Sequence, residues 1–169
     1  MRRRDFIGGL AGAAALPLAA RAQQSDRMRR IALLMSYREG DSEGIQRVTA
    51  FRDSLRESGW SEGQNARIDT RWLGGDPTRV KVQVKEIVDQ APDVIVVNGS
   101  PGLAAVREMT NSIATVFVVV TNPVGAGFVQ NMSRPGGNIT GFSTFEPDIG
   151  GKWLQVLKEL TPSLSMLVY

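Results

Sequence analysis

Apolar residues along this chain follow two alternating rhythms. Short unbroken runs occur at Arg30–Met35 (RIALLM), Asp93–Val97 (DVIVV) and Thr115–Val120 (TVFVVV). Continuous apolar runs of this length suit strands buried on both faces of a parallel sheet. Between them the spacing turns helical. Ile45, Val48, Phe51 and Leu55 line one face of a helix that begins at Glu43 and stops at Gly59, and Val80, Val84, Ile87 and Val88 line a second. Asp76-Pro77 and Ser100-Pro101 each place a capping residue before a proline, a helix-start signature. The second of these predicts a helix through about Asn111. Ala66–Trp72 alternates as a sheet-edge strand does.

From Thr121 to Thr144 the chain is glycine-rich and irregular, with a helical turn expected near Phe128–Met132. The string Arg134-Pro135-Gly136-Gly137-Asn138-Ile139-Thr140-Gly141 reads as a tight turn leading into a short strand. Asp148–Leu160 is helical again, with Ile149, Trp153, Val156, Leu157 and Leu160 on one side, and Thr161-Pro162 ends it. Ser165–Tyr169 starts a further strand. The order strand, helix, strand, helix, strand, helix, strand, loop, helix, strand predicts an α/β fold. It is a doubly wound open parallel sheet with helices on both faces. Ligands in such sheets sit outside the carboxyl ends of the strands, where strand order reverses. The first strand is the expected switch point. Five apolar residues at the chain end would leave an unpaired edge, so an incomplete, truncated version of a longer fold is expected.

Composition narrows the chemistry. With 169 residues, 42% of them hydrophobic, the chain is long enough for one packed domain. It has no cysteine and no histidine. Thiol nucleophiles, disulfides, Cys/His zinc sites and any Ser-His-Asp triad are therefore excluded. Carboxylate-bound Mg²⁺ or Ca²⁺ is not. The net charge of +3 resides in residues 1–22, where Arg2, Arg3, Arg4 and Arg21 face only Asp5, so residues 23–169 are neutral. That balance argues against a nucleic-acid partner.

The start has the parts of an export signal: a charged end, a short apolar stretch from Gly8 to Ala20 and a small-x-small site at Ala20-Arg21-Ala22. Arg3-Arg4 before Asp5-Phe6-Ile7 resembles the twin-arginine address. No cysteine follows for lipid attachment, and a periplasmic location is expected. No later apolar run reaches the 18 residues a membrane span requires.

Candidate binding groups gather at strand ends. Asn98-Gly99-Ser100-Pro101 joins a strand end to a helix start, whose free N–H groups and dipole suit a carboxylate or phosphate. A plain helix cap is the bland alternative. Thr121-Asn122-Pro123 closes the fourth strand, where Asn122 offers donors and an acceptor or simply turns the chain. Ser36 and Tyr37 close the first, and Tyr37 could stack on a ligand ring or cover the sheet end. Gly125-Ala126-Gly127 fails as a dinucleotide fingerprint, because Gln130 stands where the third glycine is needed. No Walker-type loop or G-x-S-x-G elbow occurs. Trp60, Trp72 and Trp153 are expected to be core or packing residues.

These residues suggest a family. Gly59-Trp60-x-Glu62-Gly63-Gln64-Asn65, Asp93-Val94-Ile95-Val96, Asn98-Gly99-Ser100-Pro101, Asn122-Pro123-Val124 and above all Arg134–Gly141 resemble the substrate-binding proteins of ABC transporters with a type I periplasmic binding-protein fold. The resemblance implies a protein of two α/β lobes, about twice this length, that clamps a small organic solute and presents it to a membrane permease. It implies a division into a signal at 1–22, a first lobe at 23–144, and at 145–169 a crossover and the start of a truncated second lobe. The first crossing falls near Phe142–Phe145. It also implies ligand-binding roles for Ser36, Tyr37, Asn98, Gly99, Ser100, Asn122 and Pro123, with an amino acid or another carboxylate as the solute. No residue takes a catalytic or metal-binding role, and no cofactor is expected. The alternatives are an exported hydrolase or isomerase on the same scaffold, or a remnant that binds nothing. Lacking most of the second lobe, the chain is expected to bind weakly or not at all by itself.

Overall fold

The computed structural model describes residues 27–144 and 149–162. The export signal and the last strand predicted above lie outside the described residues.

Among the described residues nine elements follow the expected order: β1 (Arg29–Met35), α1 (Ser42–Glu57), β2 (Ala66–Trp72), α2 (Pro77–Asp89), β3 (Val94–Asn98), α3 (Ser100–Met109), β4 (Ala114–Val118), β5 (Ile139–Phe142) and α4 (Ile149–Leu160). Strand and helix alternate as far as β4, after which β5 follows with no helix between. The strands form one parallel sheet in the order β2-β1-β3-β4-β5. β2 is an edge strand, as its alternation predicted. The order reverses at β1, between β2 and β3, so the predicted switch point is where the sheet has it.

Alternation along β1 divides the interior. Ala32 and Leu34 face α2 and α3, together with Ile95, Val97 and Phe117, and meet Val80, Val84, Ile87 and Leu103 in the main core. Leu33 and Met35 face the other way, onto Val48 and Phe51 of α1. Helices therefore cover both faces, but unequally. Beside α1 the second face stays open as an apolar groove of about 600 Å³, lined by Leu33, Val94, Val96, Val116, Val118 and Phe142 among others. Phe142 is 72% exposed there.

Local chemistry explains the element ends. Asp41 caps α1 by accepting from the Gly44 N–H at 2.9 Å, and Asp76 caps α2 by accepting from Thr78 at 2.9 Å. α1 ends in paired bonds from Gly59 N–H to the Arg56 carbonyl and from Trp60 N–H to the Leu55 carbonyl. Gly59, at φ +87°, supplies the left-handed residue that this termination needs.

Several expectations need correction. Ser100 does not cap α3. Gly99 is the cap residue, Ser100 is already helical, and no side chain bonds the first turn. Ile45 is exposed, because the α1 turn that meets the sheet does so through buried Gly44 instead. β4 ends at Val118, since Val119 turns to φ +57°. The turn expected at Phe128–Met132 lies earlier, at Pro123–Gly127, where Phe128 N–H and Gly127 N–H bond back to the Pro123 and Val124 carbonyls. Trp60 and Trp153 are 40% and 59% exposed, so neither is a core residue, whereas Trp72 packs against the α1 face. The glycine-rich string does lead into a short strand, β5. Every residue from Gly150 to Leu160 of α4 is exposed. Among the described residues no helix is long and apolar enough to cross a membrane.

Candidate functional site

The carboxyl ends of β1, β3 and β4 lie along one edge of the sheet, and each carries predicted site residues. The tightest junction is between the first two. The Ser36 hydroxyl donates to the Asn98 carbonyl. A Cβ on Gly99 would fall onto that same hydroxyl oxygen, so glycine is required by contact as well as by its φ of +91°. Gly99 N–H then donates to the Val118 carbonyl at 3.0 Å, which ties the end of β3 to the end of β4.

Asn98 is 4% exposed, and its side chain lines the open groove. Its amide has no hydrogen-bond partner among the described residues. Among the described residues the fully buried side-chain polar atoms without a partner belong to Thr70 and Arg71 and not to Asn98, so the Asn98 amide still reaches solvent at the groove and can bond water or a ligand. The Ser100 hydroxyl likewise has no partner among the described residues. With no side-chain cap on α3, the N–H groups of Ser100 and Gly102 stay open at the positive end of a helix.

Tyr37 is half-buried and held from several sides. Its hydroxyl donates to Glu43 Oε1 at 3.1 Å, and the Arg47 guanidinium lies 5.9 Å from its ring centroid. Arg47 also donates to Glu43 Oε1, from Nη2 at 2.6 Å and from Nε at 3.1 Å. Burial, then the bond to Glu43, raises the Tyr37 phenol above its ordinary value. The Arg47 and Tyr37 bonds hold the Glu43 carboxyl below its own.

Asn122 and Pro123 sit less centrally. Asn122 adopts φ +46° and accepts from Gly125 N–H at 2.9 Å, so its carbonyl is occupied as a turn cap. Pro123 is buried beneath the same turn, where its carbonyl accepts from Phe128. No hydrogen bond joins this pair to Ser36 or Asn98 among the described residues. Of the seven predicted residues, Ser36, Asn98, Gly99 and Ser100 are thus brought together, Tyr37 stands beside them, and Asn122 and Pro123 form a separate turn.

Sequence reasoning missed Glu43, Arg47 and Val119. The i,i+4 spacing of Glu43 and Arg47 was a readable signal for a helix-surface ion pair, though not for a ring held beneath it. Val119 lines the groove in a conformation rare for a β-branched residue, and nothing in its sequence context announces that. A second depression of about 580 Å³, beside Arg107 and Phe128, lies at the amino ends of β4 and β5 and contains none of the seven residues.

Residues 35–168 match the family model described as "ABC transporter substrate binding protein". The chain belongs to the substrate-binding protein family of ABC transporters. A tyrosine-binding protein of Clostridioides difficile (strain R20291) is 30% identical over 112 residues, which are 66% of this chain and 32% of that protein. Among solved structures, a conserved domain protein of Vibrio cholerae has a TM-score of 0.68 at 28% identity, covering 80% of this chain and 45% of the other. A Streptococcus pneumoniae ABC domain in complex with L-Trp has a TM-score of 0.66 at 26% identity, covering 80% and 44%. The chain therefore spans from about a third to just under a half of the length of these relatives.

Proposed function

We propose that this chain forms the first lobe of the solute-binding component of an ABC-type importer, and that it takes part in binding, not in catalysis. The observation that carries the reading is the edge of the sheet at the switch in strand order. Ser36, Asn98, Gly99 and Ser100 adjoin there, with an amide that no protein side chain or backbone group bonds and an uncapped helix start side by side. Open sheets of this kind bind ligands at that edge. An uncapped helix start favours an anionic group such as the carboxylate of an amino acid. The names of two relatives, one binding tyrosine and one holding L-Trp, support an amino acid as the solute.

On this reading Ser36, Tyr37, Asn98, Gly99, Ser100, Asn122 and Pro123 are the first-lobe contribution to the site. Asn122 and Pro123 act through the turn that they shape. Residues 1–22 are the twin-arginine signal that brings the chain to the periplasm, 23–144 form the lobe, and 145–169 lead into a second. A membrane permease is the macromolecular partner.

The test is thermal unfolding of residues 23–169, with and without pools of amino acids, aliphatic carboxylates and aromatic acids. A ligand that binds only the folded state raises the transition, by about 2.7 kcal/mol of stability at a hundredfold excess over Kd. A rise with an amino-acid pool that disappears in Ser100→Ala supports the reading. An unchanged transition with every pool counts against a binding role for this chain.

A further inference from the structure

The Arg134–Gly141 string takes no part in the edge where Ser36, Asn98 and Ser100 meet. Its first half instead lines the depression of about 580 Å³ at the amino ends of β4 and β5. One wall of that depression is Arg107, in the last turn of α3. Its guanidinium lies 5.9 Å from the Phe128 ring centroid, and a Cβ on Gly127 would stand 3.6 Å from its Nη1. The cation is thus laid along the Pro123–Gly127 turn. Among the described residues no carboxylate pairs with it, and none of its N–H groups has an acceptor. The neighbouring carboxylate, Glu108, is already paired with Lys81 at 3.0 Å. No aspartate or glutamate stands among the described residues that line the depression.

Another wall is a pair of glycines. Gly136 holds φ +84°, and a Cβ there would fall 2.8 Å from Gln130 Cδ, so glycine lets the loop lie against the Gln130 amide. The N–H groups of Gly136 and Gly137 and the Gln130 side chain have no partner among the described residues. The loop itself is fixed at both ends of the glycine pair. Gln130 N–H bonds the Pro135 carbonyl at 3.2 Å, and Asn138 Nδ2 donates to the Ile113 carbonyl at 2.8 Å. Open donors are therefore held on a rigid frame around one unpaired cation.

We propose that this depression is a second ligand site, and that it takes a small organic anion whose carboxylate or phosphate meets Arg107. Its volume falls within the range of about 300–1,000 Å³ typical of small-molecule pockets. The planar guanidinium fits an oxyanion through two parallel N–H bonds, and the glycine and Gln130 N–H groups supply further donors. Phe128 and Val124 offer apolar contact to the rest of the molecule. β4 is five residues long, so about 16 Å of strand separates this end of the sheet from the other, and one small ligand does not reach both.

The experiment uses the full chain, with butyrate and inorganic phosphate as probes and amide NMR shifts as the readout. Either probe should shift the amides of Gly127, Gly136 and Gly137 saturably, and the tighter of the two identifies the head group. Arg107→Gln should weaken this binding about tenfold or more, the size of a lost charge-assisted pair. Arg134→Gln removes an equal charge outside the depression and should leave binding within about twofold. Unchanged amide shifts in β1 and β3 establish that each variant is folded. Equal losses in the two variants overturn the proposal, because diffuse positive charge would then account for the binding. Shifts confined to Gly99 and Ser100, or no saturable shift with either probe, overturn it as well.

Discussion

The Ser36 hydroxyl occupies the position that a side chain on Gly99 would take, while it donates to the carbonyl of Asn98. Two strand ends therefore interlock through the absence of one Cβ. Gly99 also holds φ +91° and ψ 155°, a region that is essentially glycine-only. Gly99→Ala should lose about 2–3 kcal/mol, from backbone strain and from displacement of Ser36. The urea midpoint measures this. A midpoint within error of the parent would mean that β3 and α3 reach each other by another path.

Gly141 presents the same logic inside the sheet. A Cβ there would run into the backbone oxygen and nitrogen of Phe117 and approach its ring at 2.6 Å. Phe117 is fully buried on the neighbouring strand, so neither the ring nor the backbone can give way. Gly141→Ala should unpair β5 from β4 at a cost of about 2 kcal/mol or more. Amide hydrogen exchange reads it directly, as lost protection at Thr140 and Phe142 while β1 and β3 stay protected.

Asp93 ties the start of β3 to the start of β1. It accepts from Arg30 N–H at 2.8 Å and pairs with Arg27 at 3.0 Å and Arg29 at 3.3 Å. The Arg30 N–H bond first, then the two arginines, hold its carboxyl below the ordinary 3.8. A carboxyl depressed on folding adds stability that is fully present above its unfolded value and is lost as pH falls through its folded value. Acid unfolding should therefore draw on Asp93 only below about pH 4. Asp93→Asn should cost about 1–2 kcal/mol at pH 7 and progressively less as the pH falls through the folded value, which flattens the acid limb. A loss that keeps its size into acid would point to packing and not to charge.

What the sequence disclosed follows from which forces are local. The unbroken runs at Ile31–Met35 and Val94–Val97 state burial on two faces, and Asp76 and Gly59 state helix ends, because each acts within a few residues of itself. The alternation in Ala66–Trp72 likewise predicted an edge strand, and β2 is one. Long-range contacts could not be read in this way. Ile45 fits a helical apolar stripe as well as Val48 does, yet Gly44 meets Tyr37 and Trp72 and turns Ile45 outward. Ser100-Pro101 looks like Asp76-Pro77, but Ser36 crowds the preceding residue into a glycine-only conformation that makes Gly99 the cap. At the site, small polar residues at three strand ends were legible one strand at a time. Their union at Ser36, Asn98 and Gly99, and the separate turn of Asn122, depend on sheet order and loop geometry that no short window contains.

Asn98 poses a choice between stability and function. The residue is 4% exposed in an apolar groove and its amide has no partner among the described residues, while its backbone carbonyl, which any residue would offer, receives Ser36. An amide that no protein group bonds contributes little to the fold. Asn98→Leu should therefore keep the urea midpoint to within about 1 kcal/mol, because Val96 and Val118 already supply apolar neighbours in the groove. The same change should abolish the ligand-induced rise in thermal transition, since the amide's donors and acceptor would be gone. Denaturation and ligand titration on one variant separate the two effects. A residue kept for the fold would lose stability on substitution and leave binding in proportion. A residue kept for the ligand leaves stability nearly unchanged when replaced and loses binding, as natural sites often do when polar groups are held in readiness for a ligand.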